Sequence, residues 1–140
     1  MLSVLVFDDN YEYAMAVKEM VAQKLLELNR QSEIFCYAST NNFERFFEHD
    51  TVDVVFMDID FKVYKTGIDV AQRINEISPR TNIVYMTSHN AYSADISDTE
   101  FAYYLLKPID GEKLEKAFKK TLDIIDRSKK ESLTILSKGT

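Results

Sequence analysis

Two aspartates stand side by side at Asp8 and Asp9, directly behind the apolar run Val4–Phe7. A third, Asp58, closes a second apolar run, "VVFM". Thr87 and Ser88 follow "VYM", and Lys107 and Pro108 follow "YYLL". Each has an ordinary explanation on its own. An aspartate behind a strand is usually a turn former or a helix cap, and an adjacent acid pair is usually a solvated loop. A threonine there caps, and a lysine covers surface. Gathered at one place, however, these residues have a chemistry. Carboxylates crowded at low dielectric repel and raise one another's pKa unless they are paired. A hard divalent cation removes that conflict. Magnesium takes a few carboxylates, keeps several waters and leaves positions for phosphate oxygens. Lys107 adds an ammonium and Thr87 a hydroxyl to the set.

Whether they gather depends on the elements that carry them. Short apolar runs alternate with amphipathic stretches. "SVLVF" (3–7), "EIFCYA" (33–38), "VDVVFM" (52–57), "NIVYM" (82–86) and "FAYYLL" (101–106) read as five strands. Between them lies helical spacing. Ala14, Val17, Val21, Leu25 and Leu28 recur three or four apart, behind Asn10 as an N-cap. Phe43, Phe46 and Phe47 share one face of a short helix within 40–50. Gly67 opens a helix carrying Ile68, Ala71, Ile74 and Ile77, which Ser78-Pro79 stops. Residues 90–100 are acidic, with few apolar anchors. Asp110 caps a last helix with Leu114, Ala117, Phe118, Thr121 and Ile125 on one face. Five β-α units imply an α/β fold: a five-stranded parallel sheet, doubly wound, with right-handed crossovers. Runs one, three and four are almost wholly apolar, as strands covered on both faces are. In such a sheet, sites form at the carboxyl ends of the strands, where all the residues named above fall.

Composition narrows the partners. The chain has 140 residues, 46% of them hydrophobic, which suits one domain with a real core. Its net charge of -6 repels phosphate backbones, so this domain is a poor nucleic-acid binder by itself, whereas it suits a divalent cation. Cys36 is the only cysteine, which excludes an internal disulfide and a cysteine-rich zinc site. No apolar run approaches the ~18 residues of a membrane span, and no basic segment leads into a long apolar one. A soluble, cytoplasmic protein is expected. No glycine-rich phosphate loop occurs, which argues against a nucleotide or flavin site. His49 and His89 are far apart in sequence, and neither sits in the setting of a phosphohistidine. Tyr11 and Tyr13 either flank the acid pair or cover the first helix.

The four short motifs "VFDDN", "MDID", "MTS" and "LLKP" resemble the signatures of response-regulator receiver domains of two-component signalling, in order and across residues 1–127. The resemblance implies the strand order 2-1-3-4-5 and a set of roles. Asp58 is the phospho-acceptor, fed by a sensor histidine kinase. Asp8, Asp9, Asp58 and the backbone carbonyl of Asp60 hold Mg²⁺. Thr87 is the switch hydroxyl, Lys107 pairs with the phosphoryl charge, and Pro108 follows a cis peptide bond. Tyr104 is the aromatic whose rotamer follows Thr87, so that the 90–107 face changes when Asp58 is phosphorylated. Such a domain is a phospho-acceptor that assists its own phosphorylation and dephosphorylation, not a turnover enzyme. A homodimer formed on phosphorylation is among the assemblies the resemblance admits.

The sequence departs from the family in places. The loop "DIDFKVYKTG" lacks the usual proline, and Gly67 stands nine positions past Asp58 rather than about eight. Ser88 replaces the usual alanine, and "SADISDTE" (93–100) is more acidic than the usual fourth helix. A finer resemblance, carried by "MDID", the proline-free loop, "YYLLKPI" and the tail "ESLTILSKGT", is to regulators with a LytTR-type DNA-binding output. On that reading 128–131 is a linker and "SLTIL" (132–136) a strand beginning an output domain absent from this chain, through which any DNA contact would be made. The tail reads equally as an unstructured end.

Two other functions fit parts of the pattern. The departures after Asp58 suit a receiver-like interaction module that no longer depends on phosphate. A metal-dependent phosphatase would also use an aspartate nucleophile, with Asp60 as acid/base, but it would want a cap insertion and further acids after a later strand.

Overall fold

The structure is a computed structural model that describes residues 1–60, 67–89 and 94–138, with 94, 95 and 132–138 described by backbone alone. The loop stretch 61–66 and the beginning of the acidic region, 90–93, lie outside the described residues. Five strands form one parallel sheet: β1 (Leu2–Phe7), β2 (Ser32–Tyr37), β3 (Val54–Asp58), β4 (Asn82–Thr87) and β5 (Tyr103–Leu106). Their order is β2-β1-β3-β4-β5, as expected from the sequence. The helices are α1 (Tyr11–Glu27), α2 (Gly67–Ile77), the single-turn α3 (Ala94–Ser97) and α4 (Gly111–Lys138), with a 3-10 helix at Phe43–Phe47.

Alternation along the strands builds two cores. Val4, Val6, Val54, Phe56, Val84 and Met86 point to one face, where α1 supplies Val17, Val21 and Leu25 and α4 supplies Leu114, Phe118 and Ile125. Leu5, Phe7, Val55, Met57, Ile83 and Tyr85 point to the other, against Val70, Ala71 and Ile74 of α2 and Phe43 of the 3-10 helix. Strands apolar at every position are therefore explained by helices on both sides. The Phe43, Phe46, Phe47 group is core, with Phe46 stacked on Tyr37 at 4.4 Å between ring centroids.

The caps match the residues. The Asn10 side chain accepts the backbone N–H of Tyr13 at 3.1 Å, and Asp110 accepts that of Lys113 at 2.9 Å. The tail differs from the sequence expectation. Residues 132–136 are not a strand: α4 runs without a break through Lys138. Residues 128–131 suit a linker by their charge, yet Lys and Glu are strong helix formers. Between Gly111 and Lys138 no proline or glycine interrupts them. Asp123 and Arg127 pair one turn apart at 3.1 Å on this helix.

Candidate functional site

Strand register fixes the rim. Phe7 lies opposite Met57, Asp58 opposite Met86 and Thr87 opposite Leu106. The residues at or just past these ends, Asp8, Asp58, Thr87 and Lys107, therefore emerge side by side. The carboxylates of Asp8, Asp9 and Asp58 each place an oxygen within 4.8 Å of the others. Asp8 and Asp58 are buried, at 1% exposure each, while Asp9 is open to solvent.

Lys107 reaches into this group. Its Nζ donates to Asp8 Oδ2 at 2.7 Å and stands 3.5 Å from Asp58 Oδ1. The other oxygen of Asp8 accepts the N–H of Asn10 at 2.9 Å. Asp58 Oδ1 accepts the N–H of Asp60 at 2.9 Å. Asp58 Oδ2 is buried and has no hydrogen-bond partner among the described residues. Leaving a buried carboxylate oxygen unpaired costs free energy, so this atom marks the position where something else belongs.

The electrostatics follow. Burial pushes the Asp58 carboxyl up to about 6. The Asp60 N–H and the Lys107 charge pull it back, and the charges of Asp8 and Asp60 push it further up. Burial works against the Lys107 ammonium, but its hydrogen bond to Asp8 and the charges of Asp58 and Asp8 outweigh that and hold its pKa above the ordinary value. Among the described residues, one ammonium thus stands against a group of three carboxylates. Another positive charge would relieve the excess, and the donors present, all carboxylate oxygens, are those of a hard cation.

Beside this pocket, Asp60 has a role its sequence position did not reveal. Its carboxylate accepts the Thr87 hydroxyl at 3.3 Å, the Ser88 N–H at 3.1 Å and the Ser88 hydroxyl at 3.1 Å. Burial would raise its pKa, but these hydrogen bonds, with His89 at 3.9 Å, hold it below the usual carboxylate range. Thr87 Oγ1 in turn accepts the N–H of His89 at 3.1 Å. Tyr104 stands farther out, its hydroxyl donating to the His89 carbonyl at 2.5 Å. The Lys107–Pro108 peptide bond is cis.

Gly67 joins the site through its backbone. A Cβ there would stand 2.1 Å from the Asp58 carbonyl oxygen. Only glycine lets the start of α2 approach the acceptor strand this closely.

The family model "Response regulator receiver domain" matches residues 4–119. This chain is a response-regulator receiver domain. It is 31% identical over 90 residues to "Sensory transduction protein LytR" of Staphylococcus epidermidis, covering 64% of this chain and 35% of that protein. It is 28% identical over 123 residues to "Sensory transduction protein LytT" of Bacillus subtilis, covering 86% of this chain and 48% of that protein. This receiver therefore spans half or less of those curated relatives. A solved CheY-like receiver domain from Methanospirillum hungatei superposes with a TM-score of 0.72 at 18% identity, covering 91% of this chain and 98% of that one. That likeness concerns the fold. Receiver domains of two-component systems are phosphorylated by histidine kinases, and the LytR and LytT kinship agrees with a regulator of the LytTR type. Among the described residues no helix is long and apolar enough to cross a membrane.

Proposed function

We propose that Asp58 is the phosphoryl acceptor of this receiver and that Asp8, Asp9, Thr87 and Lys107 serve the transfer. The observation that carries this reading is the unpartnered, buried Oδ2 of Asp58, set among two further carboxylates and one ammonium. A carboxyl titrating at about 6 is ionised at neutral pH and so available as a nucleophile. An oxygen of Asp58 bonds to phosphorus as the donor's P–N bond to histidine, or P–O bond to a small acyl phosphate, breaks. The product is an acyl phosphate, which water later cleaves to restore the carboxylate. Such transfer needs alignment and charge neutralisation more than covalent help from the protein. Lys107, already 3.5 Å from Asp58, neutralises one oxygen of the new group.

Asp8, Asp9, Asp58 and the backbone carbonyl of Asp60 would hold Mg²⁺. When bound, the ion offsets charge on the phosphoryl oxygens and among the acids. The phosphoryl group brings acceptor oxygens that compete with Asp60 for the Thr87 hydroxyl and the Ser88 N–H. Thr87 moves toward it, Tyr104 leaves the His89 carbonyl, and the face around 90–107 changes for a partner to read. This is a switch and not a turnover enzyme. We place the receiver at 1–127; among the residues whose side chains are described, Ile125 is the last of its buried core. Residues 128–140 then lead toward a LytTR-type output that binds DNA in the cytoplasm, with a sensor histidine kinase as donor and dimerisation on phosphorylation.

The test is phosphoryl uptake from acetyl phosphate, followed by intact mass, with Mg²⁺ and with EDTA. Uptake is expected with Mg²⁺ and lost with EDTA, and Lys107→Met should slow it at least tenfold. Equal uptake under all three conditions would remove the roles assigned to the acids and the lysine.

A further inference from the structure

Lys107 is a long, flexible side chain expected to meet a charge that arrives only on phosphorylation. Asp8 and Asp58 both attract it, and it stands nearer Asp8, at 2.7 Å against 3.5 Å. Something must keep it between them. The ring of Tyr13 lies on the ammonium, with Nζ 4.7 Å from the ring centroid, inside the ~6 Å range of a cation–π contact. The same side chain continues past the lysine, and its hydroxyl accepts the backbone N–H of Ile109 at 3.1 Å.

We propose that Tyr13 is a positioning residue for Lys107, holding the ammonium against Asp8 and Asp58 with its ring face and fixing the following backbone with its hydroxyl. Three further hydrogen bonds brace the arrangement. The backbone N–H of Tyr13 is donated to the Asn10 cap, so the ring is mounted on the first turn of α1, directly behind the acid pair. Lys113 Nζ, on α4, donates to the carbonyls of Leu106 at 3.0 Å and Pro108 at 2.7 Å. The backbone on either side of Lys107 is thus pinned by two helices, and only the side chain depends on the ring. Tyr13 is partly buried against the α1–α4 core, so the ring keeps its place without the ligand. The turn from β1 into α1 thus carries Asp8, Asp9 and the ring that faces Lys107.

The inference rests on the phosphoryl-acceptor reading, and two measurements separate it from that reading. The first is the initial rate of phosphoryl uptake from acetyl phosphate at saturating Mg²⁺. Tyr13→Leu and Tyr13→Gln, two variants without a ring, are expected to slow it about fivefold. Tyr13→Phe keeps the ring and should recover most of the rate. In a Lys107→Met background the Leu substitution should add no further loss. Ringless variants at the wild-type rate, a Phe variant as slow as Leu, or a Leu effect that persists without Lys107 would each overturn the proposal. The second measurement needs no donor. The Lys107 ε-methylene protons should resonate upfield in the wild type and in Tyr13→Phe, and return to ordinary positions in Tyr13→Leu. If no such ring shift exists, the proposal fails. If the shift exists but the wild type takes up no phosphoryl group, the acceptor reading fails while the packing of Tyr13 on Lys107 stands.

Discussion

At the scale of single residues, the site is a charge imbalance held in place. Among the described residues three carboxylate groups meet one ammonium, and a buried oxygen of Asp58 is unpaired. Removing the ammonium should therefore move the acceptor in a definite direction. Lys107 lowers the Asp58 pKa, so in Lys107→Met, without metal, Asp58 should titrate above about 6. A ¹³C titration of the Asp58 carboxyl reads this; an unchanged or lower value would contradict the arrangement. Much of this scale was legible beforehand. Asp8, Asp9, Asp58, Thr87 and Lys107 all announce themselves as polar residues ending apolar runs. The carboxylate of Asp60 did not, because sequence gives its position but not the direction of its side chain. In the sequence Tyr13 reads equally as a flank of the acid pair or as a cover for the first helix, since its position does not give the direction of its ring.

At the scale of elements, the acceptor strand is closed in by α2. The N-terminus of that helix lies so near Asp58 that a methyl group at Gly67 would collide with backbone rather than with a movable side chain. Gly67→Ala should then destabilise the domain by about 2–3 kcal/mol. Chemical denaturation reads the loss, and a variant as stable as wild type would show that α2 can retreat freely. In the sequence this glycine was visible only as a helix opener nine residues past Asp58; the reason for it is a contact across the fold. The strands were legible because short apolar runs alternate cleanly with helical spacing, and their order because the motifs resemble those of receiver domains. The end of α4 was not. "SLTIL" has the β-branched residues of a strand, but it follows a charged run of good helix formers with no proline or glycine to stop the turns.

For the whole molecule, the raised Asp58 pKa couples the site to stability. Unfolded, the carboxyl titrates near 3.8; folded, it titrates at about 6. Between those values the folded state keeps a proton that the unfolded state has lost, so this group makes stability fall as pH rises through the window. Above about pH 6 the full penalty, on the order of 2–3 kcal/mol, is present. Asp58→Asn should therefore be nearly neutral at pH 4 and more stable than wild type at pH 7.5 in EDTA. Mg²⁺ should narrow the gap at pH 7.5. Urea unfolding under these conditions checks it, and a gap independent of pH would count against a buried, charged acceptor.

The most direct measurement is the intact mass of the protein after incubation with a small phosphoryl donor and Mg²⁺, for the wild type beside Asp58→Asn. One added phosphoryl group is expected on the wild type and none on the variant. A variant that gains the group as readily as the wild type would show that phosphate goes elsewhere, and the account of this pocket would be wrong.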